Sequence, residues 1–306
     1  MMRSILGGLV LALSAGSGAT AQTCAGNPVA VQILGSGGPI FNAQRASASY
    51  LLWIGPQAKL LFDIGGGAHL RFSQAGAKLA DLAMVGISHL HPDHTSDLPA
   101  FMWASVRARS APLPMVGPSG NNVAPDFKTF LARLFDEKTG AFQVLGSTLD
   151  STPGAAQPGV ERPRIEATVV DVGKTEPTRV FEGDGITVTA QRIPHANLPT
   201  LAYRVQTRDK SVVFSSDQNG SDPKFVDFAK GADVLVMHMA IAANAPPSPL
   251  HALPAVVGRV AQEAGAKRLI LSHIGQFDLD AAVADVKKSF TGALTIGADL
   301  QCTPVP

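Results

Sequence analysis

The chain has 306 residues, with 25 basic and 24 acidic side chains and a hydrophobic fraction of 45%. This length and composition suit one large α/β domain with a sizeable core, and they exclude a disordered chain. The near-zero net charge and the lack of a Lys/Arg run exclude the basic surface that nucleic-acid-binding proteins present, so no nucleic-acid partner is expected.

The N-terminal residues have the pattern of a secretory signal. Arg3 and an apolar run over residues 5–13 precede an Ala-Thr-Ala site that ends at Ala21. This pattern predicts a signal peptide at residues 1–21 and a single mature domain at residues 22–306. The apolar run is too short to span a bilayer, so we expect a periplasmic or secreted protein without a membrane contact. A buried N-terminal strand or a membrane anchor is the alternative.

The chain contains two cysteines, Cys24 and Cys302, near opposite ends of the mature domain. An oxidising compartment would let them pair, so a disulfide is predicted. Two free thiols at the chain ends are the alternative.

The first half of the mature domain alternates predicted strands and helices. Apolar runs predict strands at residues 29–34, 49–54, 59–62, 84–88 and 114–116, and helical spacing predicts helices at residues 68–77, 97–109 and 122–135. In the last helix, the apolar positions from Val123 to Leu134 are expected mostly in the core. The Gly-rich loop at residues 35–39 is interpreted as a tight turn, with phosphate binding as the alternative.

The second half is dominated by predicted strands. Ser, Thr, Pro and Gly mark residues 146–164 as a surface loop. Alternating apolar and polar side chains then predict antiparallel strands with one wet face at residues 165–172, 178–181 and 186–193. Further strands are predicted at residues 201–205, 211–216, 232–237 and 267–272.

Three histidines and one aspartate lie within six positions, as His89, His91, Asp93 and His94. They follow a predicted strand and precede a predicted helix, so they occupy a strand-to-helix turn. His89 and His91 are two apart at a strand end and would point the same way toward one ion, while Asp93 and His94 would face a second ion. Imidazole and carboxylate groups suit zinc. A polar turn without a metal is the alternative.

Further polar groups follow the ends of four predicted strands, as His195, Asp217, His238 and His273. In open α/β sheets, ligands bind beyond the strand ends, so these residues suggest one convergent site. His195 and His273 are predicted metal ligands, whereas the role of His238 is left open between a site residue and a core residue.

Three further titratable residues are Asp63, His251 and His69. Asp63 ends a strand before glycines, where it either orients a ligand or caps a turn. His251 opens a predicted helix, after an Ala/Pro-rich loop at residues 242–249 that could close over the site. The positive helix end would lower the pKa of His251, which suits a proton donor, with a plain helix start as the alternative. His69 is expected on a helix surface.

These residues together resemble the metallo-β-lactamase fold family, and within it the branch of ribonuclease Z and some exported arylsulfatases. The resemblance runs from about Val29 to the C-terminus. The family's H-x-H-x-D-H motif, its later ligands and its early strand-end aspartate are matched by His89, His91, Asp93, His94, His195, Asp217, His273 and Asp63.

The resemblance implies a four-layer αββα sandwich with a dinuclear site at one edge of the two sheets. Iron-using, flavin-linked members usually have an acid where this chain has His91, so zinc and hydrolysis are implied, with manganese or iron as other metals. The implied assignment is His89, His91 and His195 on one metal, Asp93, His94 and His273 on the other, and Asp217 as the bridge.

Two departures from ribonuclease Z oppose tRNA as the substrate. The family's His-Glu-Ala-Thr motif stands here as His238-Met239-Ala240-Ile241, so its Glu is missing. In addition, only 21 residues separate His195 from Asp217, and they hold no long basic arm.

The sequence therefore predicts an exported dinuclear zinc hydrolase of phosphodiesters, sulfate esters or similar small anionic esters. A hydroxide shared by the two metals would attack, with Asp93 and His251 as the candidate catalytic residues. Phe41, Trp103 and Tyr203 would line the pocket or, alternatively, pack in the core. A lactonase or β-lactamase-type enzyme and a non-catalytic metal-binding scaffold are the alternative functions, and a homodimer is left open.

Overall fold

The structure is a computed structural model that describes residues 24–149 and 161–306. The predicted signal peptide at residues 1–21 lies outside the described residues and stays a prediction. The middle of the predicted surface loop at residues 146–164 also lies outside the described residues. Among the residues that are described, no helix is both long enough and apolar enough to cross a membrane.

The described chain contains strands, α-helices and short 3-10 helices. In chain order, the strands are β1 (Asn27–Gly35), β2 (Ser49–Gly55), β3 (Gln57–Phe62), β4 (Met84–Gly86), β5 (Leu113–Pro118), β6 (Ile165–Val170), β7 (Thr178–Gly183), β8 (Ile186–Arg192), β9 (Leu201–Gln206), β10 (Ser211–Phe214), β11 (Val234–His238), β12 (Arg268–Ser272), β13 (Ala293–Ile296) and β14 (Cys302–Pro304). The α-helices are α1 (Ala68–Gln74), α2 (Pro92–Thr95), α3 (Leu98–Ala104), α4 (Phe127–Phe135), α5 (Pro223–Phe228), α6 (Pro254–Glu263) and α7 (Leu279–Lys287). Short 3-10 helices lie at Leu79–Asp81 and Gln143–Thr148.

Within the part of the chain that the structure describes, the strands form two mixed sheets of seven strands each. The first sheet has the order β14-β1-β2-β3-β4-β5-β6, and the second has the order β13-β12-β11-β10-β9-β8-β7. The prediction that residues 165–172 form an antiparallel strand is wrong, because β6 pairs in parallel with β5, with Ile165 opposite Leu113. The alternation of side chains along β6 reflects the exposure of an edge strand and carries no information about strand direction.

The two sheets face each other across an apolar core that contains side chains from both. Phe62 of β3 packs at ring-centroid distances of 5.1 Å against Tyr203 of β9 and 4.4 Å against Phe214 of β10. A second cluster joins the outer face of the first sheet to α1, α3 and α4, and a third joins the second sheet to α5, α6 and α7. The predicted four-layer αββα sandwich is confirmed.

Helix α4 begins later than the sequence pattern predicts. The Asp126 side chain accepts a hydrogen bond from the backbone N–H of Thr129, so it caps a helix that starts at Phe127. Val123 therefore lies before the helix and is 49% exposed. Its predicted core position is wrong, because the helical spacing does not extend back across Pro125 and the cap.

Cys24 and Cys302 form a disulfide, with their Cα atoms 5.5 Å apart. Cys302 lies in β14, which pairs antiparallel with β1 with Cys302 opposite Gln32. The bond therefore fastens both ends of the described chain to the first sheet.

Candidate metal centre

The candidate ligands meet at the edge where strands of both sheets end. They follow β3 (Asp63), β4 (His89, His91, Asp93 and His94), β8 (His195), β10 (Asp217) and β12 (His273), and His238 is the last residue of β11. The turn after β4 is held by a backbone hydrogen bond from the N–H of Ile64 to the carbonyl of His94, 2.8 Å long. His91 stands at the N-cap of α2, so the motif bends from strand into helix within its own length.

The first cluster contains His89, His91, His195 and Asp217. Nδ1 of His91 lies 3.0 Å from Nε2 of His89 and 3.4 Å from Nε2 of His195. Oδ2 of Asp217 lies 3.8 Å from Nε2 of His89 and 3.7 Å from Nε2 of His195. A tetrahedral zinc site with bonds of about 2.0–2.1 Å separates its donor atoms by about 3.3–3.4 Å, so the spacing fits a metal.

Electrostatics in the first cluster favour neutral imidazole rings. Burial lowers the pKa of His89, His91 and His195 from the ordinary value, and neighbouring imidazoles add to this effect. A neutral ring is the form of histidine that binds a metal ion.

The second cluster contains His94, His273 and the same Asp217, which lie together with His238, and Asp93 joins it through contacts with both imidazoles. Oδ2 of Asp93 lies 3.0 Å from Nε2 of His273 and 3.5 Å from Nε2 of His94. Asp217 approaches Nε2 of His94 with Oδ2 at 3.5 Å and Nε2 of His273 with Oδ1 at 3.3 Å. Nε2 of His94 is buried and has no hydrogen-bond partner among the described residues. This donor set, with a buried nitrogen that lacks a partner, fits a second metal ion.

Asp63 holds the His94 ring from behind. Its Oδ1 accepts a hydrogen bond of 2.7 Å from the backbone N–H of Ser88, and its Oδ2 accepts one of 2.8 Å from the Ser88 hydroxyl. The same Oδ2 lies 2.8 Å from Nδ1 of His94, which leaves Nε2 free to face the cluster. Burial lowers the pKa of His94, but the carboxylates of Asp63 and Asp217 outweigh it and raise that pKa well above the ordinary value. The surroundings of this ring therefore favour a positive charge.

Several residues around the two clusters have a left-handed backbone. The φ angles are 58° at Asp63, 52° at Ser216, 49° at Ala196 and 52° at His273. This conformation is uncommon for residues other than glycine, and such strain concentrates at functional sites. Each of these positions is, or directly adjoins, a residue of the candidate centre, so the strain occurs where the chain turns to present these side chains.

His251 lies beside both clusters. Its ring centroid is 5.3 Å from that of His195 and 5.6 Å from that of His273. Burial lowers its pKa to about 4, and the nearby imidazoles add to this effect against the opposing charge of Asp217. The predicted cause of this shift, a helix start at His251, is wrong, because α6 begins only at Pro254.

His238 contacts the centre through Asp217. Its Nδ1 lies 2.5 Å from Oδ1 of Asp217, and its Nε2 lies 3.0 Å from the hydroxyl of Tyr50. Sequence reasoning missed Tyr50, because a tyrosine in an apolar strand has the appearance of an ordinary core residue. It also missed the carbonyl of Leu250, which lies 2.7 Å from Nδ1 of His195, since a backbone partner leaves no mark in the sequence.

The aromatic residues proposed for the pocket have different surroundings. Tyr203 is buried and donates a hydrogen bond of 2.8 Å to the carbonyl of Ile87, so it belongs to the core. Trp103 is 53% exposed and lies under the guanidinium of Arg162. Phe41 is fully exposed, and its carbonyl accepts a hydrogen bond from Nε2 of Gln276, three residues beyond His273. Phe41 therefore remains as a residue at the rim of the centre.

His69 lies on α1, as the sequence predicts for a helix surface. Its side chain is 43% exposed, and its Nδ1 lies 2.8 Å from Oδ2 of Asp97.

Comparison with known proteins gives a family match over most of the chain. Residues 60–274 match the family model described as the Beta-lactamase superfamily domain. Ribonuclease Z of Mycobacterium sp. (strain KMS) is 30% identical over 193 residues, which are 62% of this chain and only 61% of that relative. Ribonuclease Z of Mycobacterium bovis (strain BCG / Pasteur 1173P2) is 27% identical over 288 residues, covering 88% of this chain and 96% of the relative.

Solved structures give the same fold. The metallo-β-lactamase fold protein YhfI from Bacillus subtilis has a TM-score of 0.68 at 22% identity, covering 90% of this chain and 100% of that one. The short form of human tRNase Z has a TM-score of 0.67 at 20% identity, covering 90% of this chain and 99% of that one. At these identities the likeness concerns the fold alone.

Proposed function

Since the chain belongs to the β-lactamase superfamily and is a metal-dependent hydrolase of the metallo-β-lactamase fold, we propose that it is an exported dinuclear zinc hydrolase of small anionic esters. Phosphodiesters and sulfate esters are the substrate classes. One observation carries this proposal: two donor clusters, each of a composition that suits zinc, share the buried carboxylate of Asp217.

The residues that would hold the metals follow from the contacts. One ion would be held by His89, His91 and His195, and the other by Asp93, His94 and His273, with Asp217 between them. Zinc ions in these positions would lower the pKa of water toward neutrality and polarise the ester oxygens, and manganese or iron would serve similarly.

Asp93 and His251 are the proposed catalytic residues of the chain itself. Although burial raises the pKa of Asp93, the hydrogen bond from His273 and nearby imidazoles lower it to about 2, so the carboxylate is ionised at neutral pH. His251, with its pKa lowered to about 4, is a neutral imidazole beside both clusters and would donate one N–H to a substrate oxygen.

The rim of the centre supports a small substrate with an apolar part. Ile40 and Phe41 are 56% and 100% exposed in the loop whose Gly38 faces the ring of His273. Leu250 is 37% exposed on the other side, where its carbonyl contacts His195. Exposed apolar side chains on both sides would bind an uncharged leaving group.

The same rim argues against RNA as the substrate of this chain, although relatives carry the name ribonuclease Z. The segments beside the candidate ligands, residues 38–44, 194–200, 240–251 and 274–279, contain no Lys or Arg. Binding of a polynucleotide depends on neutralising phosphates with such side chains.

Export is proposed from the N-terminal signal pattern and is supported by the Cys24–Cys302 disulfide, which suits an oxidising compartment. Expression of the full chain in a Gram-negative host tests this. A periplasmic product that begins at Gln22 is expected, and an unprocessed cytoplasmic product would contradict it.

A substrate screen of the zinc-loaded protein tests the activity. Bis-p-nitrophenyl phosphate or p-nitrophenyl sulfate should be hydrolysed, whereas a homoserine lactone, a chromogenic cephalosporin and a precursor tRNA should not. Turnover of only the lactone or the cephalosporin would assign the chain to the carbonyl hydrolases. Zinc binding without any turnover would favour a metal-binding scaffold.

Asp217→Asn should reduce the activity by at least ~100-fold, because loss of a direct donor should exceed the 10–100-fold effect of losing an outer partner. Asp97→Asn is the matched control, since the carboxylate of Asp97 pairs with His69, which is not a candidate ligand. Full activity in Asp217→Asn would refute the bridging role.

A further inference from the structure

We propose that Tyr50, His238 and Asp217 form a hydrogen-bonded chain, called the positioning chain below. In it, Tyr50 and His238 hold the carboxylate of Asp217 between the two clusters, which raises the affinity for the metal ion of the second cluster, called the second metal ion. This inference rests on the proposed function, because it assumes that the clusters bind metal.

The two oxygens of Asp217 have different neighbours. Oδ2 lies 3.5–3.8 Å from the Nε2 atoms of His89, His94 and His195, and so faces both clusters. Oδ1 lies 2.5 Å from Nδ1 of His238 and 3.3 Å from Nε2 of His273. Because a carboxylate only accepts, the proton in the shorter contact belongs to Nδ1 of His238. The hydrogen bond opposes rotation of the carboxylate group and keeps Oδ2 directed toward the imidazoles.

Tyr50 holds His238 from the other side. Its hydroxyl lies 3.0 Å from Nε2 of His238 and 3.0 Å from Oγ of Ser272. With Nδ1 engaged by Asp217 and Nε2 engaged by Tyr50, both nitrogens of the His238 ring have a partner. The ring also stacks on that of His273, with centroids 4.7 Å apart and planes 8° apart. His238 is therefore fixed in position and orientation by Tyr50 and by two candidate ligands, Asp217 and His273.

The positioning chain is enclosed in the apolar space between the sheets. Tyr50, His238 and Asp217 are 1%, 5% and 1% exposed. The ring of Tyr50 lies 5.8 Å from that of Phe214 in the inter-sheet core, while its hydroxyl reaches the polar groups at the sheet edge. In such surroundings water cannot replace a lost partner, so removal of the hydrogen bond from His238 removes the restraint that His238 places on Asp217.

The spacing of the donors also permits a competing role for His238, as a direct metal ligand. One nitrogen of His238 lies within 4.8 Å of donor atoms of His94, Asp217 and His273. The contacts favour positioning, because Nδ1 of His238 already touches Asp217 at 2.5 Å and Nε2 already lies 3.0 Å from the hydroxyl of Tyr50.

Substitutions at His238 separate these roles. His238→Leu removes the N–H, whereas His238→Asn keeps an N–H donor near the place of Nδ1 and is a poor zinc ligand. We expect His238→Leu to weaken the second zinc 10–100-fold and His238→Asn to restore most of that affinity. Equal loss in both variants would identify His238 as a direct ligand and overturn the inference.

Tyr50→Phe tests the outer end of the positioning chain, with Tyr203→Phe as its matched control. Both tyrosines are buried, but the hydroxyl of Tyr203 donates to the backbone carbonyl of Ile87. We expect the affinity for the second zinc to fall about tenfold in Tyr50→Phe and to stay unchanged in Tyr203→Phe.

The measurements are zinc affinity by competition with a chelating dye and the visible spectrum of the cobalt-substituted full-length protein, with thermal unfolding to verify folding. The cobalt spectrum should change in His238→Leu and Tyr50→Phe, which a purely structural role would not produce. Unchanged affinity in both variants would contradict the positioning chain alone. Fewer than two zinc ions bound to the unaltered protein would instead contradict the proposed function.

Discussion

Gly38 illustrates how closely the backbone approaches a candidate ligand. A Cβ atom at this position would lie 2.6 Å from Cε1 and 2.8 Å from Nδ1 of His273, which is closer than van der Waals contact allows. The ring of His238 stacks on the same imidazole, with centroids 4.7 Å apart. The His273 ring is therefore closely confined, and a side chain at residue 38 would displace it.

Gly38→Ala is expected to reduce bound zinc from two ions toward one per chain and to lower any hydrolytic activity at least about tenfold, because a displaced His273 loses its place in the second cluster. Metal analysis after dialysis measures the first effect. Gly66→Ala is the control, since its Cβ would meet only Oγ of Ser96 at 3.3 Å and Oγ of Ser47 at 3.7 Å. Two tightly bound zinc ions in Gly38→Ala would show that the loop can move away.

At the scale of single residues, the sequence predicts the candidate ligands better than the residues that hold them in place. The candidate ligands were predictable because metal-binding residue types recur at fixed spacing and at strand ends, as in His89 to His94. Tyr50 and Gly38 were not, because a strand tyrosine and a loop glycine have many ordinary uses. Their roles come from neighbours distant in sequence, namely His238 and His273.

At the scale of elements, Asp233 joins the starts of three neighbouring strands. It lies just before β11, and its Oδ2 accepts a hydrogen bond of 2.7 Å from the backbone N–H of Ser211, at the start of β10. Its Oδ1 lies 2.7 Å from Nζ of Lys267, just before β12. The opposite ends of these strands lead to Asp217, His238 and His273, so this ion pair helps to fix the register of the strands that deliver these three residues.

Asp233→Asn is expected to lower the free energy of unfolding by about 1.5–3 kcal/mol at pH 7, the range for hydrogen bonds to charged groups. Burial raises the pKa of Asp233, but Lys267 and Ser211 outweigh it and lower the pKa below the ordinary 3.8. A lowered carboxyl pKa stabilises the fold fully above the unfolded-state value, and this contribution is lost as the pH falls through the folded-state value.

Denaturant unfolding at pH 7 and at successively lower pH below 3.8 measures this effect. The difference between Asp233→Asn and the unaltered protein should shrink as the solution becomes acidic. Substitution of the exposed Asp227 by Asn should have little effect at any pH. A deficit of the same size throughout would show that the charge of Asp233 is not what stabilises the strands.

Elements were predictable where local pattern determines them. Apolar runs located β1, β2, β3 and β12 within a few residues, because buried strands must be apolar. The partner of β6 was not predictable, since side-chain alternation reports exposure and not strand direction. The strand β14 was not predicted either, because Cys302–Pro304 has no apolar pattern and depends on pairing with β1, far away in sequence.

At the scale of the whole molecule, the centre depends on how the two sheets are held together. The candidate residues from Asp63 to His94 follow strands of the first sheet, whereas those from His195 to His273 follow or end strands of the second sheet. Beyond β13 of the second sheet, the chain crosses back to the first sheet. There Asp299 accepts hydrogen bonds from the backbone N–H groups of Ser36 and Ala46, and the Cys24–Cys302 disulfide closes the crossing. The C-terminal segment therefore joins the two halves that supply the candidate ligands.

Replacement of both cysteines by serine is expected to lower the free energy of unfolding by about 2–5 kcal/mol, because the disulfide restricts the unfolded chain over a long loop. Zinc content should stay the same, since β14 keeps its backbone pairing with β1 and no candidate ligand among the described residues lies beyond His273. Denaturant unfolding and metal analysis of the double variant, beside the oxidised and reduced forms of the unaltered protein, measure both effects. Loss of zinc at unchanged stability would mean instead that the disulfide shapes the centre directly. Equal stability of all forms would show that strand pairing and Asp299 alone hold the crossing.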